Sequence, residues 1–333
     1  MTDAELVALV DRIGQNAAAR ELGIARTTFQ GRYQRAMMRQ SGGAQPAQIA
    51  ETYRPAAPDI GPKEAPKYRV IHPPSRTLLR VLAIGDSHDH PGLPDKSRFA
   101  LLGKFAAAER FDVIVHIGDF LDLHSLCSHT REETYRGKAK PSFEQDLASG
   151  WEALAAFEAE LPADYRPRKH VTLGNHEARA WAYEDRNPAS VNMLTGPLTG
   201  MFEQHGWTWQ RFGHWTLLGG VAFTHVPRSV MARPLGGKQV ENTVANESVR
   251  CTVFGHTHRY NHILRAKHGY NEAITVTNLG TSMPEDYLPD YAEGLPTGYS
   301  YGAVELEIHD GRVHMAAHRS WRSLEHRFGK RAA

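Results

Sequence analysis

Apolar and polar positions along the 333-residue chain follow two different rhythms. Near the amino terminus the spacing is helical. Leu6, Val7, Leu9, Val10 and Ile13 share one face, and Gly14 ends that helix. A second short helix runs from Gln15 to Leu22 and stops at Gly23, with Ala17, Ala18 and Ala19 small enough for close helix approach. A third follows Ile24 and carries Phe29 and Tyr33 one turn apart, both able to pack back on the first two. Residues 41–67 are rich in Pro, Ala and Gly and hold no sustained period. They read as a tether between residues 1–40 and the remainder, with a short helical turn near Gln48 to Tyr53.

From Tyr68 onward strands alternate with amphipathic helices. The pattern predicts a strand to Gly85, a helix near Lys96 to Arg110, a strand Val113 to Ile117, a helix near Phe143 to Leu161 and a strand ending at Leu173. Such alternation implies an α/β architecture of right-handed βαβ units. After Glu177 helical stretches continue to about His205. Trp215–Leu218 and Val221–His225, joined by Gly219-Gly220, then read as a hairpin. A helix near Val240 to Arg250, an apolar run Cys251 to Gly255, a strand Ile274 to Leu279 and a last hairpin turning at His309-Asp310-Gly311 complete a segment spanning 68–320. Residues 321–333 carry Arg322, Arg327, Lys330 and Arg331 and read as a basic tail.

Bulk composition narrows the possibilities only a little. A hydrophobic fraction of 41%, a charged fraction of 23% and a formal charge of +2 fit a globular protein and do not by themselves argue for a polyanionic partner. Charge is unevenly placed, however, since no acidic residue occurs from Leu22 to Ile49. Cys127 and Cys251 are the two cysteines and lack any metal-type spacing, so neither a disulfide framework nor a thiolate site is expected. The first residues lack a signal-like segment and no stretch reaches membrane-spanning length, which leads us to expect a cytoplasmic location and no membrane partner. Oligomeric state is left open.

Five fragments carry the chemistry. In order they are Asp86-x-His88, Gly118-Asp119-x-x-Asp122, Gly174-Asn175-His176-Glu177, a lone His225, and Gly255-His256-Thr257-His258. All but the opening His88 pair stand after apolar, β-branched runs, and the opening pair ends a strand of its own, so each falls at the carboxyl end of a strand, where open α/β sheets bind ligands. Asp86, His88, Asp119, Asn175, His225, His256 and His258 form a donor set of carboxylates, imidazoles and one amide oxygen. Without thiolates, such a set suits Mn²⁺, with Fe and Zn²⁺ as alternatives. Seven donors exceed the needs of one ion, so two divalent cations sharing one carboxylate are expected. Of the seven, His225 stands alone in the sequence, and His214 is its nearest competitor.

The ordered series of fragments resembles the calcineurin-like metallophosphoesterases over roughly residues 80–260. That resemblance implies two mixed sheets packed face to face with helices outside. It implies Asp86, His88 and His258 on one metal, Asn175, His225 and His256 on the other, and Asp119 between them. A metal-bridging hydroxide would then attack phosphorus in line, His176 would donate a proton to the leaving oxygen, and Asp122 would orient its ring. Glu177 is expected to brace its loop. Where protein phosphatases of this superfamily carry an arginine after the second aspartate, this chain has Leu123. Loss of that guanidinium favours diesters over phosphoprotein monoesters, and Arg179 is a candidate phosphate contact. Residues 19–30 are similar to the helix-turn-helix of Fis-like domains, which implies base contacts by Arg26, Thr27 and Gln30 and phosphate contacts by Arg32 and Arg35. The same helices could instead form a bundle for self-association. The leading expectation is a DNA nuclease, similar in motif order to SbcD-like nucleases and in domain pairing to phage-borne phosphoesterases. Alternatives are a phosphomonoesterase or small-nucleotide phosphodiesterase, and a DNA-bound regulator with a structural metal site.

Overall fold

The computed structural model describes residues 2–13, 15–24, 29, 32, 33, 36, 68–71, 78–128, 135–269, 272–289, 292 and 297–329. The chain divides into two units, Met1–Gly61 and Pro62–Ala333. In the first, helix α1 (Asp3–Ile13) opens on a reciprocal cap: Thr2 N donates to Glu5 Oε2 (2.6 Å) and Glu5 N to Thr2 Oγ1 (3.3 Å). Helix α2 (Gln15–Glu21) ends at Gly23, whose φ of 61° is the left-handed value that favours glycine. Leu6, Leu9, Val10, Ala18, Ala19, Phe29 and Ala36 are buried together, and Phe29 stacks on Tyr33. Arg32 is exposed on helical backbone. Arg26, Thr27, Gln30 and Arg35 lie outside the described residues, as do the tether 41–67 and the turn expected near Gln48 to Tyr53.

The second unit is built on two mixed sheets. Its elements are β1 (Tyr68–Ile71), β2 (Leu79–Ile84), α3 (Ser97–Glu109), β3 (Val113–His116), α4 (Tyr135–Lys138), α5 (Phe143–Glu158), β4 (Arg168–Thr172), α6 (Ala178–Arg186), α7 (Thr195–Gln204), β5 (Trp207–Gln210), β6 (Trp215–Leu218), β7 (Val221–Phe223), α8 (Val240–Glu247), β8 (Thr252–Phe254), β9 (Tyr260–Ala266), β10 (Ala273–Leu279), β11 (Gly302–His309), β12 (Arg312–Ser320) and α9 (Trp321–Phe328). Among the described residues one sheet has the order β12-β11-β2-β3-β4-β5 and the other β1-β6-β7-β8-β10-β9. Strands β2, β3, β4 and β5 are mutually parallel, and so are β7, β8 and β10.

Strand periodicity divides the core into two layers. Leu79, Val81 and Ala83 of β2, Val113 and Val115 of β3, and Val304, Leu306 and Ile308 of β11 face Phe223, Val253 and Val276 of the other sheet. The alternate residues Leu82, Ile84 and Ile114 pack under Phe99, Leu102 and Phe105 of α3 and Leu154 and Phe157 of α5. Covered on both faces, β2 and β3 need near-continuous apolar sequence, which is what they have. His170 of β4 links the sheets directly: its Nε2 lies 2.8 Å from Thr216 Oγ1 on β6, while its Nδ1 meets Thr208 Oγ1 (2.9 Å).

Two details differ from the sequence reading. Residues 321–328 form a helix capped by the Ser320 side chain rather than a basic tail, with Trp321 and Leu324 buried against the helical layer. Strands β5 and β9 form where the sequence shows no strand pattern. Among the described residues no helix is long and apolar enough to cross a membrane.

Candidate metal centre

Every fragment singled out in the sequence sits on a loop that leaves the carboxyl end of a strand. Asp86 and His88 follow β2, Asp119 and Asp122 follow β3, Asn175 and His176 follow β4, His225 follows β7, and His256 and His258 follow β8. The loops are tied to one another. Ser87 N and His88 N both donate to Asp119 O (3.0 and 2.9 Å), Asp89 N donates to Phe120 O (2.8 Å), and Gly255 N to His225 O (3.1 Å). Glu177, fully buried, accepts from Asp119 N (3.0 Å), Leu121 N (2.9 Å) and Gly174 N (2.7 Å), so its carboxylate clamps the second and third loops together. Asp89 braces from the other side, pairing with Lys96 Nζ (2.7 Å) and Arg98 and accepting from Ser149 Oγ (2.6 Å).

Two glycines are dictated by this crowding. A Cβ on Gly174 would collide with the Asp119 carboxylate, and one on Gly255 with the Asp86 carboxylate. Several of the converging residues hold left-handed backbone: His88 (φ 42°), Asp119 (47°), Leu123 (46°), His256 (71°) and His258 (59°). Residues other than glycine adopt this region at a cost and keep it where the surroundings over-determine it.

The side chains meet in three groups: Asp86 with His88 and His258, Asp119 with His225 and His256, and Asp122 with His176 and again His88. His258 Nε2 is 3.1 Å from both Asp86 Oδ2 and His88 Nε2. His225 Nε2 is 3.0 Å from Asn175 Oδ1 and 3.2 Å from Asp119 Oδ2. Asp119 Oδ2 also lies 3.8 Å from His88 Nε2, which places that carboxylate between the first two groups. Two donors about 2.1 Å from one cation and at right angles are about 3.0 Å apart, so these separations fit the edges of a coordination shell. The imidazoles are oriented accordingly. His225 Nδ1 donates to Ile117 O (3.0 Å), which leaves Nε2 as the ligating nitrogen. His256, the most exposed of the seven, has its backbone N–H held by both oxygens of Asp86 (3.0 Å each).

Electrostatics point the same way. Burial works to raise the Asp86 and Asp119 pKa values, yet neighbouring imidazoles, His225 and His258 for Asp86 and His176 and His225 for Asp119, hold both below the ordinary range. Burial disfavours charge on His225, but Asp119 and Asp86 push its pKa up to about 9. The centre is a negative well that takes up positive charge, and a divalent cation displacing protons satisfies the same field. His116, by contrast, is driven down to about 3 by burial and hydrogen-bonds Ser87 Oγ (2.9 Å), a packed histidine rather than a charged one.

His176 stands beside this cluster. Its Nδ1 donates to Asp122 O (2.7 Å) and Oδ1 (2.9 Å), and its Nε2 lies 3.8 Å from Asp119 Oδ2. Burial lowers its pKa, but Asp119 and then Asp122 outweigh that and leave it raised. Arg179 donates through Nη1 to Asp122 O (2.7 Å) and Leu123 O (3.3 Å), and its Nη2 is 3.2 Å from His176 Nε2. A cavity of about 250 Å³ opens over His176 and the donors His88, Asp119, Asn175, His256 and His258. Tyr299, outside all five fragments, lines it as well; its only sequence signal is an aromatic pair with Tyr301 after Gly298. A separate cavity of about 790 Å³ is bordered by more acidic than basic side chains, Asp95, Glu160, Glu285, Asp286 and Glu325 against Arg98 and Lys104, and by none of the metal-site donors. His214 joins none of the three groups.

Residues 79–260, more than half the chain, match the family model described as calcineurin-like phosphoesterase, and the chain belongs to that family. Members are metal-dependent hydrolases of phosphoesters, so this protein is a hydrolase acting on ester bonds through divalent metal ions. No curated protein gives a significant match to it.

Proposed function

We propose that the protein is a two-metal phosphodiesterase acting on DNA, with Mn²⁺ as the working ion. The observation that carries this reading is the convergence of six His and Asp donors, with Asn175 against His225, beside a protonatable His176 and a buried Leu123 that offers no guanidinium. Asp86, His88 and His258 would hold one cation, Asn175, His225 and His256 the other, with Asp119 shared. When bound, such a pair supplies a water ionised at neutral pH and polarises phosphoryl oxygens.

The chain's own residues do the rest. Asp122 fixes the His176 ring so that Nε2 faces the cavity and can pass a proton to the departing oxygen. Arg179 Nη2 and His176 Nε2 approach to 3.2 Å, so both can reach a single anionic oxygen. A diester carries one negative charge and is matched by this single arginine; a monoester dianion would gain from the second guanidinium that Leu123 replaces. An open cavity beside the donors favours catalysis over a purely structural metal.

The amino-terminal helices would localise the enzyme on DNA. The left-handed Gly23 turn and the acid-free stretch from Leu22 to Ile49 support this. With Mn²⁺ present and single- and double-stranded DNA compared, DNA should be cleaved and a phenyl phosphodiester hydrolysed faster than its monoester. Monoester turnover with DNA left intact would reject the nuclease reading. Removing residues 1–40 should weaken DNA association most at low salt, because phosphate contacts are screened; unchanged affinity would reject the DNA-binding role of those helices.

A further inference from the structure

We infer that Tyr299 is a specificity-determining residue that stacks on an unpaired nucleobase flanking the scissile phosphate, which directs the enzyme to single-stranded or frayed DNA. This rests on the phosphodiesterase reading above and deepens it. Tyr299 lies 39 residues beyond the end of the family match (299 − 260), on the segment entering β11. Its ring stands edge-to-face with His258, centroids 4.7 Å apart and planes at 82°, and forms part of the wall of the metal-site cavity. Tyr301 lies next to it at 6.3 Å.

Placement and chemistry agree. The backbone that carries Tyr299 is pinned to the site, since Ser300 N donates to His258 O (2.9 Å) and Thr281 N to Ser300 O (2.9 Å). The other cavity walls are imidazole, carboxylate, amide and hydroxyl groups, which the phosphodiesterase reading assigns to metal, phosphate and leaving oxygen. Tyr299 is half-buried and supplies the phenol ring among the groups that line the cavity. In a DNA strand the nearest apolar, planar group to a phosphate held over Asp119 and His258 is a neighbouring base. A base inside a duplex already has both faces stacked, so contact with Tyr299 requires one that is unstacked.

The test compares two diesters with the same leaving group, p-nitrophenyl thymidine-5′-phosphate and p-nitrophenyl methyl phosphate. Tyr299→Leu should raise KM about 10-fold for the thymidine ester, within the range of base–aromatic stacking, and leave the methyl ester and the bound-metal content unchanged. Tyr299→Phe should behave as the parent. In metal-free protein, fluorescence anisotropy should show the parent preferring oligothymidylate over an abasic strand of equal length, and Tyr299→Leu losing that preference. Parallel loss for both esters, or loss of metal, would make Tyr299 a support for His258 and overturn the proposal; so would no change in either measurement. If the parent hydrolyses neither diester while turning over p-nitrophenyl phosphate, the phosphodiesterase reading itself fails, and the parent alone reveals it.

Discussion

Asp89 allows the coupling between stability and the metal centre to be worked through. It is fully buried, and its two oxygens neutralise Arg98, itself 7% exposed, and Lys96, while a third bond comes from Ser149. Asp89→Asn keeps the shape and one acceptor but removes the charge, leaving buried Arg98 and half-buried Lys96 without the carboxylate they share. Breaking a buried pair from one side costs about 3–5 kcal/mol. At about 2 °C per kcal/mol for a unit of this size, the melting temperature should fall by about 6–10 °C. The same backbone positions the second metal-site loop, because Asp122 N donates to Asp89 O (2.9 Å) and Asp89 N to Phe120 O (2.8 Å), so metal affinity should weaken too. Calorimetry of the metal-free and Mn²⁺-loaded forms reads both effects. Adding Arg98→Met should recover part of the loss by removing one stranded cation. A single variant that melts within about 2 °C of the parent would refute the reasoning, since it would mean that water or relaxation solvates the pair.

Three further outcomes are expected. His176→Ala should lower kcat by about 10²–10⁴ with metal content unchanged by elemental analysis; metal loss would place His176 among the ligands instead. Asp119→Ala should reduce bound metal from about two ions per chain to one or none, because the shared carboxylate serves both sites; two retained ions would contradict the bridging position. For pH, burial lowers His170 from 6.5 to about 3. Its contribution is therefore complete above pH 6.5, where folded and unfolded forms are both neutral, and declines as pH falls toward 3 because only the unfolded form binds the proton. The slope approaches about 1.4 kcal/mol per pH unit. Urea midpoints for His170→Gln should depend less on pH between 6 and 4 than those of the parent, and an equal dependence would count against this account.

Much of the centre was legible in the sequence because each piece is local: a buried strand whose apolar run is continuous, then two or three polar residues at its end. Asp86 after β2 and Asp119 after β3 needed no long-range information to be found. The brace formed by Glu177 was legible for the same reason, its Gly174 partner being three residues away. Edge strands were harder. Trp207-Thr-Trp-Gln is four residues long and Tyr260–Ala266 is half polar, with Leu264 71% exposed, so neither carries a buried-strand signature. In α9 the spacing of Trp321, Leu324 and Phe328 is helical, but the intervening Arg and His residues gave it the look of a solvated tail. Tyr299 could not have been read, because its meeting with His258 depends on the register of a segment about forty residues away.

Strand β11 pairs with β2 along its full length, from Ala303 opposite Ile84 to Ile308 opposite Leu79. A recombinant fragment trimmed to the matched span, ending at Tyr260, would therefore strip a neighbour from the very strand that leads to Asp86. Its open amides and the uncovered faces of Val81 and Ala83 would invite other copies to pair there, and such a fragment should be recovered from inclusion bodies while the 333-residue chain is not.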